Sequence, residues 1–256
     1  MPLRARSKPG EDDSPLILLT NDDGIDAPGL LALERALESL DPRVVAPMEH
    51  CSGSSLAIGL YSDLEVERRG AARWAVRGTP VDCVKLALLE LLEKRPGLVI
   101  SGINPGPNAA NNIHYSGTVG AATEAAMWNV PAMAVSSGSG IPLHLASAAS
   151  FVLEFVLGGS WRDIPPGCLL NLNIPDLPAC ELGHPVWTRT GRFLEDIPFT
   201  VIEPGKLYRY SRWTAPCERP EPGTDLEALA SGRISMTLLT VERSAGAGSR
   251  EQPDRP

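Results

Sequence analysis

The sequence predicts an α/β protein. It reads as a doubly wound, mostly parallel sheet in a Rossmann-like three-layer arrangement, with a C-terminal β-hairpin arm for oligomerisation. Three observations lead there. Short apolar, β-capable runs alternate with longer segments of helical spacing from Leu16 to Pro175, as expected when strands are covered by helices on both faces. After Pro185 the texture changes to alternating polar and apolar residues between turn signals, which is the pattern of hairpin strands. The length of 256 residues, 43% of them hydrophobic, suits one large domain, or one domain with an appended arm, and excludes a disordered chain.

The elements follow in order. Residues 1–14 are polar and expected to be disordered, and the α/β core is assigned to 15–185. Leu16 to Thr20 is a buried strand stopped by Asn, Asp and Gly. Asp26 is a candidate helix N-cap, with Pro28 in the first turn. "LLALERALESL" then places Leu30, Leu33 and Leu37 on one face, and "DPRVVAP" is the second strand, giving a right-handed β-α-β unit. "RWAVRG" is strand-like, and "TPVDCVKLALLELLEK" is a helix that Thr79 can cap. "GLVISG" is a strand, "TVGAATEAAMWN" a helix with Ser116 as cap, and "PAMAVSS" a strand. "LHLASAASFVLEFVL" is a helix and "CLLNLNIP" a strand. Residues 186–243 hold the arm (Val186 to Trp213), a short helix in "TDLEALASG" and a closing strand in "RISMTLLTV". A two-stranded arm can hardly bury both faces alone, so a second subunit is expected to cover it. Residues 244–256 are a polar tail, expected to be disordered.

Composition excludes several functions. A net charge of −8 gives no support for binding a nucleic acid duplex or an anionic membrane. The five cysteines form no CxxC, which argues against a zinc ribbon or disulfide framework and for a reducing, cytoplasmic setting. No secretory signal and no bilayer-spanning run is expected.

In a doubly wound sheet, ligands bind beyond the carboxyl ends of the strands. Three loops at such ends carry oxygen donors: "TNDDG", "APMEHCSGSS" and "SGINPGPNAANNIHYSGTV". Asp22 and Asp23 are adjacent, and two carboxylates 4 Å apart repel by about 4 kcal/mol at an effective dielectric near 20. A hard divalent cation would turn that repulsion into shared attraction. The same residues also read as a turn, since "DG" is a hairpin signal, although the helical pattern that follows favours the metal. Ser116 can cap a helix whose free N–H groups bind phosphate, with Gly117 letting a ligand approach the backbone; an ordinary cap with a packing glycine is the plainer alternative. His50 and His114 fall in these loops. A structural role fits "RGTPVDCVKLAL", and no GxSxG or P-loop occurs.

Taken together, "ILLTNDDGIDAPGL", "VVAP…SGSS", "RGTPVDCVKLAL", "LVISGINPGPN", "YSGTVGAATEAA" and "TDLEALASGRISMTLL" resemble the stationary-phase survival (SurE) nucleotidases in order and spacing from Leu16 to Leu239. The resemblance implies hydrolysis of nucleoside monophosphates, at 5′ and also 3′ esters, with one Mg²⁺ or Mn²⁺ per subunit. It implies metal positions at Asp22, Asp23, Ser52 and Asn104, with phosphate contacts at Ser116, Gly117 and Thr118 and in the loop at Asn108. Asp22 and Asp23 are the candidate catalytic residues, Asp22 as the acceptor of a water proton or as the carrier of an aspartyl-phosphate. It also implies a homodimer or homotetramer joined through the arm. "MEHC", "AANN" and Arg209 to Pro222 depart from the family pattern. Two rival readings are a haloacid-dehalogenase-type phosphatase, which typically uses DxD spacing, and a non-catalytic nucleotide-binding or sensory module on the same fold.

Overall fold

The computed structural model describes residues 15–138, 143–192, 199–210, 220–242 and 244. The expected N-terminal extension and nearly all of the C-terminal tail lie outside them. The chain runs β1 (Ile17–Thr20), α1 (Pro28–Ala36), β2 (Arg43–Pro47), β3 (Glu65–Gly70), β4 (Arg73–Arg77), α2 (Pro80–Leu86), β5 (Leu98–Pro105), α3 (Gly117–Met127), β6 (Ala132–Ser137), α4 (Leu145–Gly158), β7 (Cys168–Ile174), β8 (Gly183–Thr188), β9 (Phe199–Glu203), β10 (Leu207–Tyr210), α5 (Asp225–Ala230) and β11 (Arg233–Thr240).

Nine strands form one sheet in the order β3-β4-β2-β1-β5-β6-β7-β11-β8. The six from β4 to β7 are parallel, while β3 and β11 run antiparallel to β4 and β7. Strand β1 shows why the sheet has two covered faces. Ile17 and Leu19 pack with Leu30 and Leu33 of α1, Leu37 at its C-cap and Val152 of α4, whereas Leu18 packs on the other side with Val84 of α2 and Ala122 of α3. This is the period of two that a doubly covered strand requires.

Several local readings change. Ala27, not Asp26, is the N-cap of α1, and it makes no side-chain cap bond; Pro28 pre-sets the first turn instead, and Asp26 sits outside, paired with Arg73 at 3.3 Å. Thr79 caps α2 in a full capping box with Asp82. The helix then widens to a π segment over Ala87–Leu91, which keeps Leu88, Leu91 and Leu92 against the α2–α3 core. The hairpin partner β3 ("EVERRG") has no apolar alternation because it is an exposed edge, and its charges suit that position. β8 overlaps the start of the expected arm but pairs parallel with β11 in the main sheet. The two-stranded hairpin is β9–β10. Among the described residues, no helix is long and apolar enough to cross a membrane.

Candidate metal and phosphate site

The loops after β2, β1 and β5 are neighbours because those strands are neighbours in the sheet. Backbone bonds sew them together. Cys51 N donates to Asp22 O at 2.7 Å, Ile25 N to Pro47 O at 2.8 Å, and Ser55 N to Tyr115 O at 3.1 Å. Asn21 Nδ2 donates to Gly24 O at 2.8 Å and closes the turn that holds the two aspartates.

Asp22 is 2% exposed. Thr118 Oγ1 donates to its Oδ1 at 2.5 Å. Burial raises the Asp22 pKa, while the Thr118 side chain and backbone N–H favour the charged form in opposition. Asp23 is pushed up to about 6, by burial first and then by the negative charge of Asp22, against a lowering contribution from His50. His50 Nδ1 lies 3.4 Å from Asp23 Oδ1. Asp23 Oδ2 and Ser54 Oγ are buried without a hydrogen-bond partner. Two desolvated carboxylates, one with an orphaned oxygen, form a strongly cation-seeking pair.

Helix α3 closes on this pair. Ser116 caps it, accepting from Val119 N at 3.1 Å. A Cβ on Gly117 would stand 2.5 Å from Ser54 Oγ and 2.8 Å from Asp22 Cβ. The space a side chain would need at Gly117 is taken by the chain's own Ser54 and Asp22. The missing side chain lets the positive end of α3 rest directly on the carboxylate.

The remaining candidates fall at the same rim. Ser52 is exposed in the loop after β2. Asn104, expected in a loop, is the penultimate residue of β5, beyond an irregularity in pairing where Ser101 faces Ala134 and Asn104 faces Ser136. Such bulges re-aim side chains beside functional sites. Asn104 Nδ2 donates to Gly106 O at 2.7 Å, so the acceptor half of its amide is the half suited to a cation. Asn108 is buried, and its Nδ2 donates to Ser136 Oγ at 2.9 Å. Its backbone is held by Asn171 and Asn173 of β7.

Among the described residues no group of three or more His, Cys, Asp or Glu could hold a metal. The candidate quartet is two carboxylates with neutral Ser and Asn oxygens, which fits a hard cation. Sequence reasoning passed over Ser54 and Ser55, and over Asn171, Asn173 and Asp225. Two asparagines in the apolar strand "CLLNLNI" were the available signal: buried amides need partners.

A family model described as Survival protein SurE matches residues 17–195. The 5′-nucleotidase SurE of Rubrobacter xylanophilus is 42% identical over 252 residues, covering 92% of this chain and 95% of that one. The 5′-nucleotidase SurE of Geobacter sulfurreducens is 41% identical over 230 residues, 88% of each. The crystal structure of SurE protein from Aquifex aeolicus has the same fold, with a TM-score of 0.78 and 34% identity over 90% of this chain and 95% of that one. Agreement of this extent, through the core and the rim that carries the paired aspartates, means that the chain belongs to the SurE family.

Proposed function

We propose that the protein is a metal-dependent phosphatase that hydrolyses nucleoside monophosphates, 5′ esters first and 3′ esters as a second class, to nucleoside and phosphate. One observation carries this reading: the anion-attracting N-terminus of α3 is set directly against the buried carboxylate of Asp22, with half-buried Asp23 as its neighbour. A phosphate could sit there only with a cation to separate it from Asp22 and Asp23. The curated relatives named 5′-nucleotidase SurE supply the substrate class.

Asp22, Asp23, Ser52 and Asn104 would hold one divalent ion, Mg²⁺ or Mn²⁺. When bound, such an ion supplies Lewis-acid charge to the phosphoryl oxygens. The Gly117 N–H and the Ser116 hydroxyl would hold further phosphoryl oxygens at the helix end, with Thr118 beside them, and Asn108 walls the loop. Thr118 fixes Asp22 through Oδ1, which leaves Asp22 Oδ2 to accept the proton of the attacking water. As the new P–O bond forms, the ester P–O bond breaks and the leaving oxygen takes a proton from solvent. A rapid quench in ¹⁸O water should place the label in phosphate; label in an Asp side chain would replace direct attack by an aspartyl-phosphate.

The reading extends to assembly and setting. Val201, Ile202, Leu207 and Tyr208 of the β9–β10 hairpin are exposed, and a second copy of the chain would cover them in a homodimer or homotetramer. The cysteine usage supports a cytoplasmic enzyme. Relatives of this kind do not favour the haloacid-dehalogenase or non-catalytic readings. Colorimetric phosphate release from AMP, GMP and UMP with Mn²⁺ or Mg²⁺ tests the proposal. Release should stop with excess EDTA and return with metal; no release from any nucleotide with either metal defeats it.

A further inference from the structure

We propose that Asp225 is a positioning residue that couples the root of the C-terminal arm to the loop carrying Asn108 and Ser116, and so sets how tightly the site holds a phosphate monoester. This rests on the reading of the site given above.

Asp225 opens α5 and is 0% exposed. Three backbone N–H groups from three places donate to it. Ala110 N reaches Oδ2 at 2.9 Å, and Gly191 N and Leu226 N reach Oδ1 at 2.8 Å each. The helix does not need this side chain as a cap, because Thr224 Oγ1 already accepts from Glu227 N at 3.3 Å. Burying a carboxyl group is costly, so a residue needed only to start a helix would be left in water.

What Asp225 joins is the point. Ala110 lies between Asn108 and Ser116 and has φ +48°, a left-handed conformation that disfavours any side chain. The bond to Asp225 holds it there. From Ala110 the chain makes one 3₁₀ turn, Ala110–His114. Ser116 N then donates to Asn112 O at 3.1 Å, so a displacement at Ala110 is passed to the cap of α3. On the other side stand the two roots of the arm. Arg189 N donates to Gly223 O at 3.1 Å and Asp225 N to Arg189 O at 3.0 Å. The β9–β10 hairpin is the chain between those roots. Gly191 leaves no slack, since a Cβ there would stand 2.9 Å from Asp225 Oδ1.

Three variants and four measurements test the coupling. Asp225→Ala removes both acceptors, Asp225→Asn keeps the shape and loses one, and Gly191→Ala presses on Asp225 from the arm side alone. Each is followed by kcat and KM for AMP, by calorimetric binding of inorganic phosphate with Mn²⁺, by hydrogen exchange over residues 108–116, and by melting temperature. Asp225→Ala should raise KM and the phosphate Kd together by roughly tenfold, the scale of one lost hydrogen bond. Its kcat should change less than KM, and exchange over 108–116 should accelerate. Asp225→Asn and Gly191→Ala should fall between it and wild type. If Asp225→Ala does not fold, these two decide. Lowered melting temperature with KM, phosphate Kd and exchange unchanged would make Asp225 a fold-holding residue only and overturn the proposal; an unchanged Kd in Gly191→Ala would remove the arm from it. A wild type that releases no phosphate defeats the proposed function instead, and loop exchange in Asp225→Asn still judges the anchoring.

Discussion

Two regions of this molecule invert the usual rule of burial, in opposite senses. At the sheet rim a carboxylate is buried: Asp22 is 2% exposed with its like-charged neighbour beside it. In the arm hydrocarbon is exposed: Val201 is 54% exposed on a hairpin of only two strands. Buried charge is costly unless paired, and an isolated hairpin is marginal in water. On the proposed reading each region is finished by something outside the single chain, a cation at the rim and a second subunit at the arm. The rim is sewn together by backbone bonds from three loops, which lets it hold an unfavourable charge pair in place for its partner. The arm is held at its roots by Arg189, Gly223 and Asp225, and its apolar side chains stay exposed.

The sharpest way to break the comparison is to remove the charge at the rim. Asp23→Asn should lower turnover of AMP by at least about 1,000-fold, the scale of losing a group essential to transition-state charge. It should also raise the melting temperature in EDTA, because one member of a repelling, desolvated pair is gone. Wild-type protein at Mn²⁺ a hundredfold above Kd should melt about 5–10 °C higher than in EDTA, and Asp23→Asn should lose that gain. Differential scanning fluorimetry with and without Mn²⁺ reads both. A variant that keeps the Mn²⁺ shift would take Asp23 out of the metal set.

Gly117→Ala comes next. The added Cβ meets Ser54 Oγ at 2.5 Å and Asp22 at 2.8 Å, so α3 or the Ser54 loop must move, at about 1–3 kcal/mol. Turnover should fall roughly 10- to 100-fold, as for a small misplacement of reacting groups, with the sheet unaffected by circular dichroism. Near-normal activity would show that α3 can back away from Asp22 without cost.

The comparison also explains what could be read without coordinates. The core strands and helices were legible because burial on both faces leaves a strong pattern, as in "LILLT" and "GLVIS". The paired aspartates were legible because nothing about a strand end requires two charges. The role of Gly117 was half legible: close approach to the backbone was expected, but that Ser54 and Asp22 crowd the same position carries no mark in the sequence, because both are distant along the chain. Strand β3 was missed because an exposed edge has no apolar face to write into the sequence. Asp225 was read only as part of a short helix, since its partners Ala110 and Gly191 are 115 and 34 residues away, and local pattern carries no such distance.

At the arm, Val201→Glu with Leu207→Glu should break the oligomer, read by light scattering after gel filtration. Carboxylates replace apolar side chains on a surface that a partner must dehydrate. Because neither residue belongs to the core, the melting temperature of the separated subunit should shift by no more than about 0.5 kcal/mol equivalent. An oligomer that persists at micromolar concentration would place the contact elsewhere and leave the exposed hairpin without its partner.

The smallest effect is the control for the rim itself. Asp176 follows β7 just as Asp22 follows β1, yet its pKa is lowered: burial is the largest single influence and pushes it up, but the backbone N–H groups of Leu143 and His144 and the His144 ring together more than offset that. Its oxygens accept from Leu143 N at 2.9 Å and His144 N at 2.7 Å. A carboxylate with a lowered folded pKa contributes stability above its unfolded pKa of 3.8 and loses it as the pH falls through the folded value. Asp176→Asn should therefore cost under about 1 kcal/mol at neutral pH, since the group is near the surface. The difference from wild type should close below the unfolded pKa, in urea melts taken from pH 7 to pH 2.5. Turnover at neutral pH should stay unchanged, because this carboxylate already has its donors and asks for no cation. A large loss of activity in Asp176→Asn would mean that the rim's chemistry extends across the sheet to β7, and that the contrast between a satisfied and an unsatisfied carboxylate does not mark where the metal goes.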